Sequence, residues 1–282
     1  MKNYKLIALA LLSFLVLAPA LALAHQPRTV DGRVTFVSDP ETSKAYYGHL
    51  AGEPDIYIID SSKPFNLYIN ILVPAIEGQK KDVSAVILKE GKQIVVLNGI
   101  DFEWKEFYEE FGADSYWVGP EYETKAIAGR YEIRVWSSNN DSKYALAVGK
   151  KEVFDTKEGI NALTLIPKLK KNFFNESPIG FIKSPFGYGI IIVMYFLAFL
   201  AGLTYRFILK WVATGSSHDA HHNIGLIDRL LRLALGLALL LWAMTTNWSL
   251  PLIFFSGFAV FEAVFSWCGL YAAMGKSTCP ME

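Results

Sequence analysis

Net charge is absent from this sequence: 27 Lys and Arg offset 27 Asp and Glu over 282 residues. No basic field argues for nucleic acid as a partner, and no acidic excess argues for a cationic one. Cysteine is nearly missing, and its two copies, Cys268 and Cys279, both lie at the end of the chain. Internal repeats and low-complexity segments are lacking. No Ser-His-Asp set, phosphate loop or dinucleotide fingerprint can be made out, so binding is favoured over catalysis and no cofactor is expected. Long hydrophobic runs are missing from the middle of the chain but crowd its two ends, where they lift the hydrophobic share to 52%. That distribution implicates a membrane.

The first run, "MKNYKLIALALLSFLVLAPALALAHQ", has the three parts of an export signal. Lys2 and Lys5 supply charge, Leu6 to Leu17 an apolar stretch, and Ala22-Leu23-Ala24 a small-x-small cleavage site. An uncleaved anchor is the alternative, against which Pro19 and the closing alanines argue. Cleavage after Ala24 starts the mature chain at His25, outside the cytoplasm.

From Arg33 to Val148 the apolar period is two. "FNLYINILV" sets Phe65, Leu67, Ile69 and Ile71 on one face, "RYEIRVWS" does so with Tyr131, Ile133 and Val135, and "KYALAV" with Tyr144, Leu146 and Val148. Turn residues separate the runs, as at Ser61-Ser62-Lys63-Pro64, Glu90-Gly91-Lys92 and Ser138-Asn139-Asn140-Asp141. Short strands without a long amphipathic helix predict an antiparallel β-sandwich over residues 25–155. The segment "AIAGRYEIRVWSSNNDSKYALAV" resembles the last hairpin of pre-peptidase C-terminal-like sandwiches, through a Gly-x-Tyr strand entry and a closing Tyr-x-Leu strand. The resemblance implies a binding or accessory module.

Between these runs, "GIDFEWKEFYEEFGADSYWVGPEY" mixes rings with carboxylates. Trp104, Tyr108, Tyr116 and Trp117 are candidate ligand residues for a protein, a glycan or a cation. The alternative is a long connection whose rings cap one end of the core. After Asp155, whose spacing to Glu158 fits a capping box, a short helix is expected to Ile166, stopping at Pro167. "KLKKNFFNESPIGFIKSPF" then reads as a juxtamembrane connector over 156–186, with its lysines at lipid headgroups and Phe173, Phe174 and Phe181 at the interface.

The second apolar end predicts an α-helical membrane anchor of three transmembrane helices, within 187–207, Leu230 to Trp248 and Leu250 to Gly275. Arg206, Lys210, Arg229 and Arg232 surround the first connection, 208–228, which the positive-inside rule puts in the cytoplasm. The export signal independently puts the sandwich outside, and the tail 276–282 falls inside. The expected setting is the cytoplasmic membrane, with the lipid bilayer as partner and a second copy as a further one through the helices.

Asn223, Gly225, Asp228, Arg229, Arg232, Gly236, Trp267, Cys268, Tyr271, Gly275 and Cys279 share the spacing of the YgaP-like inner-membrane domain family, which residues 223–279 resemble. The family's usual Cys-Pro is Cys268-Gly269 here, and the rhodanese domain fused to some members is not in this sequence. The family match at both cysteines favours a thiol pair that handles sulfur, carries a redox signal or binds a soft metal; the alternative is a packing residue and a tail residue. Near the cytoplasmic face such thiols stay reduced. Glu262, in an otherwise uncharged run, is a candidate functional carboxylate or one half of an ion pair with Arg232. His218, His221 and His222 have metal-ligand spacing in a polar loop. His25, as a mature N-terminus, is a copper-binding candidate if His49 lies near it.

Overall fold

The computed structural model describes residues 25–153, 155–212 and 222–279. The export-signal segment 1–24, together with His218 and His221, lies outside the described residues. The chain divides into two compact units between Phe186 and Gly187.

Alternation at period two builds the first unit. Its strands are β1 (Gln26–Thr29), β2 (Val34–Phe36), β3 (Lys44–His49), β4 (Asp55–Ser61), β5 (Phe65–Pro74), β6 (Ser84–Lys89), β7 (Lys92–Leu97), β8 (Lys105–Glu109), β9 (Asp114–Ala126), β10 (Gly129–Trp136) and β11 (Lys143–Val148). They form a six-stranded sheet, β1-β3-β11-β5-β9-β8, and a five-stranded sheet, β2-β4-β10-β6-β7. The pairs β1–β3 and β2–β4 are parallel and the others antiparallel. Phe65, Leu67, Ile69, Ile71, Tyr131, Ile133, Val135, Tyr144, Leu146 and Val148 all enter one core between the sheets, the side that alternation assigns them.

Three expectations within this unit are corrected. β10 and β11 are no hairpin, because Ser137 to Ser142 carries the chain from the five-stranded sheet to the six-stranded one. The aromatic connection is itself a pair of strands, the edge strand β8 and its neighbour β9. The helix starting after Asp155, α1 (Thr156–Asn172), runs through Pro167 rather than stopping before it. Asp155 caps it by accepting from the Glu158 amide, as the capping-box spacing predicts. Pro167 removes one helical hydrogen bond, and the burial of Leu169, Phe173 and Phe174 beyond it outweighs that loss.

The second unit holds the C-terminal helices α2 (Pro185–Val212), α3 (Leu226–Thr245), α4 (Leu250–Phe265) and α5 (Gly269–Met274). Among the described residues, Pro185–Trp211 is the helix long and apolar enough to cross a membrane. Three such helices were expected. Instead α3 carries Asp228, Arg229 and Arg232 in its first two turns, and the third apolar run breaks after Phe265. Ser266 takes a left-handed conformation there, so Leu250 to Gly275 is two helices rather than one. Small residues set the packing within this unit. A Cβ on Gly236 would meet Val260 and the Ser256 carbonyl, and one on Gly202 would meet the Phe261 ring.

Candidate functional site

The two outer faces of the sandwich differ. The outer face of the six-stranded sheet is covered by α1. Tyr116, Ala145, Leu169, Phe173 and Phe174 form a second small core there, with Tyr47 and Leu72 packed against it. Three clamps hold the helix. Arg28 grips the Glu158 carboxylate with both terminal nitrogens, at 2.8 and 2.7 Å. Lys143 donates to the Asn172 and Phe173 carbonyls at 2.7 and 3.0 Å, satisfying the helix C-terminus. Lys170, fully buried, donates to Asp114 at 2.7 Å and to the Ala113 carbonyl at 3.0 Å.

The expected headgroup contact of Lys170 and the interfacial placement of Phe173, Phe174 and Phe181 are therefore corrected. All four side chains are buried in the first unit. Burial pushes the Asp114 carboxyl up to about 7, with Lys170 pulling the other way. Burial likewise raises Glu109, against the Phe111 and Gly112 amides that it accepts. A cavity of about 60 Å³ lies beside these acids, lined among others by Tyr47, Phe107, Leu72 and Ile166.

The outer face of the five-stranded sheet is open. Its register sets two rows across all five strands. One row reads Val34, Ile56, Arg134, Val86 and Val96. The other reads Phe36, Ile58, Glu132, Leu88 and Gln93. The central strand β10 contributes the charged pair, in which Arg134 donates to Glu132 at 2.5 Å. Flanking positions are apolar apart from Gln93, and Ile94 adds to them at the β6–β7 irregularity. Phe36 is 73% exposed, the most of the apolar residues in the two rows.

In the second unit a polar cluster gathers around Asn223. Its side chain donates to the Cys268 carbonyl at 2.9 Å and accepts from the Cys268 amide at 2.7 Å. Its carbonyl accepts from the Thr278 amide at 3.1 Å. Gly275 ends α5 in a left-handed conformation, and the tail folds back so that Thr278 meets the Gly225 amide and Asp228. One residue thus ties both cysteine-bearing segments together. Both thiols are free, Cys268 buried and Cys279 partly exposed. Arg232 reaches Asp228 at 3.0 Å and also pairs with Glu262, which lies in the last turn of α4. Arg229 donates to the Ala263 carbonyl at 2.9 Å. No charge in the sequence marks Asn223 as the organiser; its place in the family pattern is the one signal pointing to it.

The other candidates do not converge. Trp104 is buried in the sandwich core and donates to the Gly99 carbonyl, while Tyr116 faces α1 and bonds the Tyr47 hydroxyl. Trp117 lies on the opposite face of β9 from Tyr116, with the Lys81 ammonium 4.0 Å from its ring centroid. Tyr108 is exposed on edge strand β8. The rings therefore form no shared binding loop, because strand alternation splits them between faces. His25 contacts Ser43 before β3, whereas His49 pairs with Asp141 at the far end of that strand. Six residues of strand span about 20 Å, so these imidazoles cannot share a copper ion as expected. His222 contacts the Phe265 carbonyl. Among the described residues no group of three His, Cys, Asp or Glu side chains could hold a metal ion.

Residues 220–282 match the family described as inner membrane protein YgaP-like, transmembrane domain. Over these residues the chain is similar to that membrane-domain family. The YgaP-like match makes a lipid bilayer its environment and supports an inner-membrane protein. Solved structures similar to the sandwich include the pre-peptidase C-terminal domain of a Bacillus anthracis collagenase, at 12% identity and a TM-score of 0.24, covering 44% of this chain and 95% of that one. CorA, a surface-associated copper-binding protein of Methylomicrobium album BG8, is similar at 9% identity and a TM-score of 0.23, over 43% of this chain and 98% of that one. The C-terminal domain of EclA, a sugar-binding protein, matches at 16% identity and a TM-score of 0.22, over 37% and 74%. No curated protein matches the chain.

Proposed function

We propose that this chain is an envelope membrane protein whose β-sandwich is an interaction module, held outside the cytoplasm by α2 and the YgaP-like domain. One observation carries the reading: the open outer face of the five-stranded sheet. Antiparallel sheets that face water alternate apolar-in and polar-out. Here both sides of the five-stranded sheet are mainly apolar, although α1 covers nothing on that side. Val34 and Phe36 on β2 and Ile94 and Val96 on β7 are the exposed apolar side chains of this face, and exposed apolar groups of this size suit association. A flat aliphatic face with one exposed ring suits a protein better than a glycan, which needs polar groups for its hydroxyls. The test is photocrosslinking from the full chain in its membrane, with p-benzoylphenylalanine in place of Val96. An adduct with a protein is expected and Phe36→Asp should reduce it, whereas no adduct of any kind would count against the module.

A second reading, thiol or sulfur handling by Cys268 and Cys279, is favoured by the Asn223 hydrogen bonds that hold both segments at one place. Cys268→Ser and Cys279→Ser should then give one shared phenotype, no worse in the double variant. Variants that differ from the parent only in stability would reduce Cys268 to a packing residue.

A further inference from the structure

Across the β8–β9 pair, Glu109 stands directly opposite Asp114. Both residues line the cavity beside α1, on the outer face of the six-stranded sheet. A Cβ on Gly112 would lie 2.7 Å from Asp114 Oδ2 and 3.1 Å from Glu109 Oε2, so the two carboxylates close on one point. Among the described residues the cation that faces this pair is Lys170 of α1, whose side chain is fully buried. Two carboxylates and one ammonium leave one negative charge over when both acids ionise, and a proton on the pair removes it. We infer that α1 is a strap worked by that proton: it lies on the six-stranded sheet while the Glu109–Asp114 pair holds the proton, and lifts as a unit once the proton is lost.

The groups around the pair leave the imbalance in place. Glu176, just past α1, has its carboxylate 3.9 Å from the Lys170 ammonium and is more than half exposed, so it adds negative charge. Glu110 is exposed beside Glu109. Lys105 of β8 and Lys168 and Lys171 of α1 are exposed as well, so water and salt screen them. Tyr47 and Tyr116 bond each other at 2.9 Å in the seam, and burial raises both phenols, so they stay neutral. His25 lines the same cavity, and burial lowers it, which keeps it from serving as the missing cation. Arg28 and Lys143 are committed to the two ends of α1, on Glu158 and on the last helical carbonyls.

The sign follows from burial. Under α1, Asp114 is pushed up to about 7 and Glu109 is raised too, whereas acids freed into water titrate near about 4. The docked state therefore binds more protons, so docking is favoured at low pH and weakens as pH rises from about 4 to about 7. α1 is the element that responds, because it brings Lys170, Leu169 and the following Phe173 and Phe174 to the seam. The core between the two sheets is built of other residues. A small, separately packed element opens before the core it lies on. Lifting uncovers Tyr47, Leu72, Tyr116 and Ala145.

The experiment uses the full chain in detergent, with Cys268→Ser and Cys279→Ser to remove the native thiols. Ala145→Cys then places a thiol beneath α1, Ala85→Cys one in the core between the sheets, and Phe36→Cys one on the exposed surface. Dividing each maleimide rate by the Phe36→Cys rate cancels the thiol's own response to pH. The Ala145→Cys ratio should rise about tenfold or more from about pH 5 to about pH 8, while Ala85→Cys stays far slower throughout. Glu109→Gln and Asp114→Asn each leave one acid for one ammonium, so either should flatten the rise. A flat ratio in the parent chain, or a rise that survives both substitutions, would overturn the strap. Equal rates at Ala145→Cys and Ala85→Cys would overturn it too, since the unit would then open as a whole.

Discussion

At the scale of single residues, the two buried polar clusters make separate predictions. Lys170 and Asp114 are 0% and 4% exposed, so removing one partner strands the other without water. Lys170→Met should cost about 3–5 kcal/mol in urea unfolding of the sandwich unit, and adding Asp114→Leu should recover most of it. The same acids give a pH dependence. Burial raises Asp114 to about 7 and raises Glu109 as well, so the folded unit keeps protons that the unfolded chain has released. Their stabilisation is full at low pH, and stability falls as pH rises from about 4 to about 7, because the native state binds more protons across that window. Unfolding midpoints measured across the window should show the decline, and Asp114→Asn should flatten it. In the second unit, Asn223→Ala removes both bonds to the Cys268 backbone and should speed maleimide labelling of Cys268 towards the rate of Cys279. Equal labelling rates in the parent and the variant would show that Asn223 does not guard the thiol.

At the scale of elements, α1 decides where the sandwich unit ends. A piece covering residues 25–155 lacks Leu169, Phe173 and Phe174, and so exposes Tyr47, Leu72, Tyr116 and Ala145 on the six-stranded sheet. It also leaves Asp114 without Lys170. A piece covering 25–186 should therefore stay soluble and unfold cooperatively, while 25–155 should aggregate or bind a hydrophobic dye. Equal behaviour of the two pieces would refute the role given to α1. The strands were legible because alternation is a local signal, and the buried faces of β5, β10 and β11 follow it residue by residue. What was not legible is non-local. "KLKKNFF" has the composition of an interfacial anchor, and only the distant Asp114 and the apolar outer face of β11 turn it into a buried seam. Ala145 and Ala147 were the local hint, since small apolar residues at the outward positions of β11 announce that something lies on them. Trp104, Tyr108, Tyr116 and Trp117 misled in the opposite way. They crowd together in sequence, yet a strand sends its neighbours to opposite sides.

At the scale of the whole molecule, the question is on which side of the membrane the cysteines lie, and parity gives an expectation to test. α3 and α4 form a hairpin, and its two ends meet: Asn223, before α3, bonds Cys268, after α4, and Thr278. A chain that leaves a surface and returns to the same residue ends on the side where it began, whether the hairpin spans the bilayer or only enters it. Cys279 is then expected to share a side with the end of α2, whose last two turns carry Arg206 and Lys210. α2 is long enough to cross, so the sandwich and Cys279 are expected on opposite sides, the cysteines inside by the charge rule. The sixteen residues of α4 make about 24 Å, short of a bilayer core of about 30 Å, and the parity argument does not depend on that length. A membrane-impermeant maleimide applied to intact cells should leave Cys279 unlabelled, and permeabilised cells should label it. A cysteine placed at the exposed Phe36 should show the reverse order, reacting in intact cells. Labelling of Cys279 without permeabilisation would mean that α2 does not cross or that the sandwich is not exported, and the Phe36→Cys result separates the two. Reactive in intact cells, it puts the sandwich and Cys279 both outside; unreactive, it returns the sandwich to the cytoplasm.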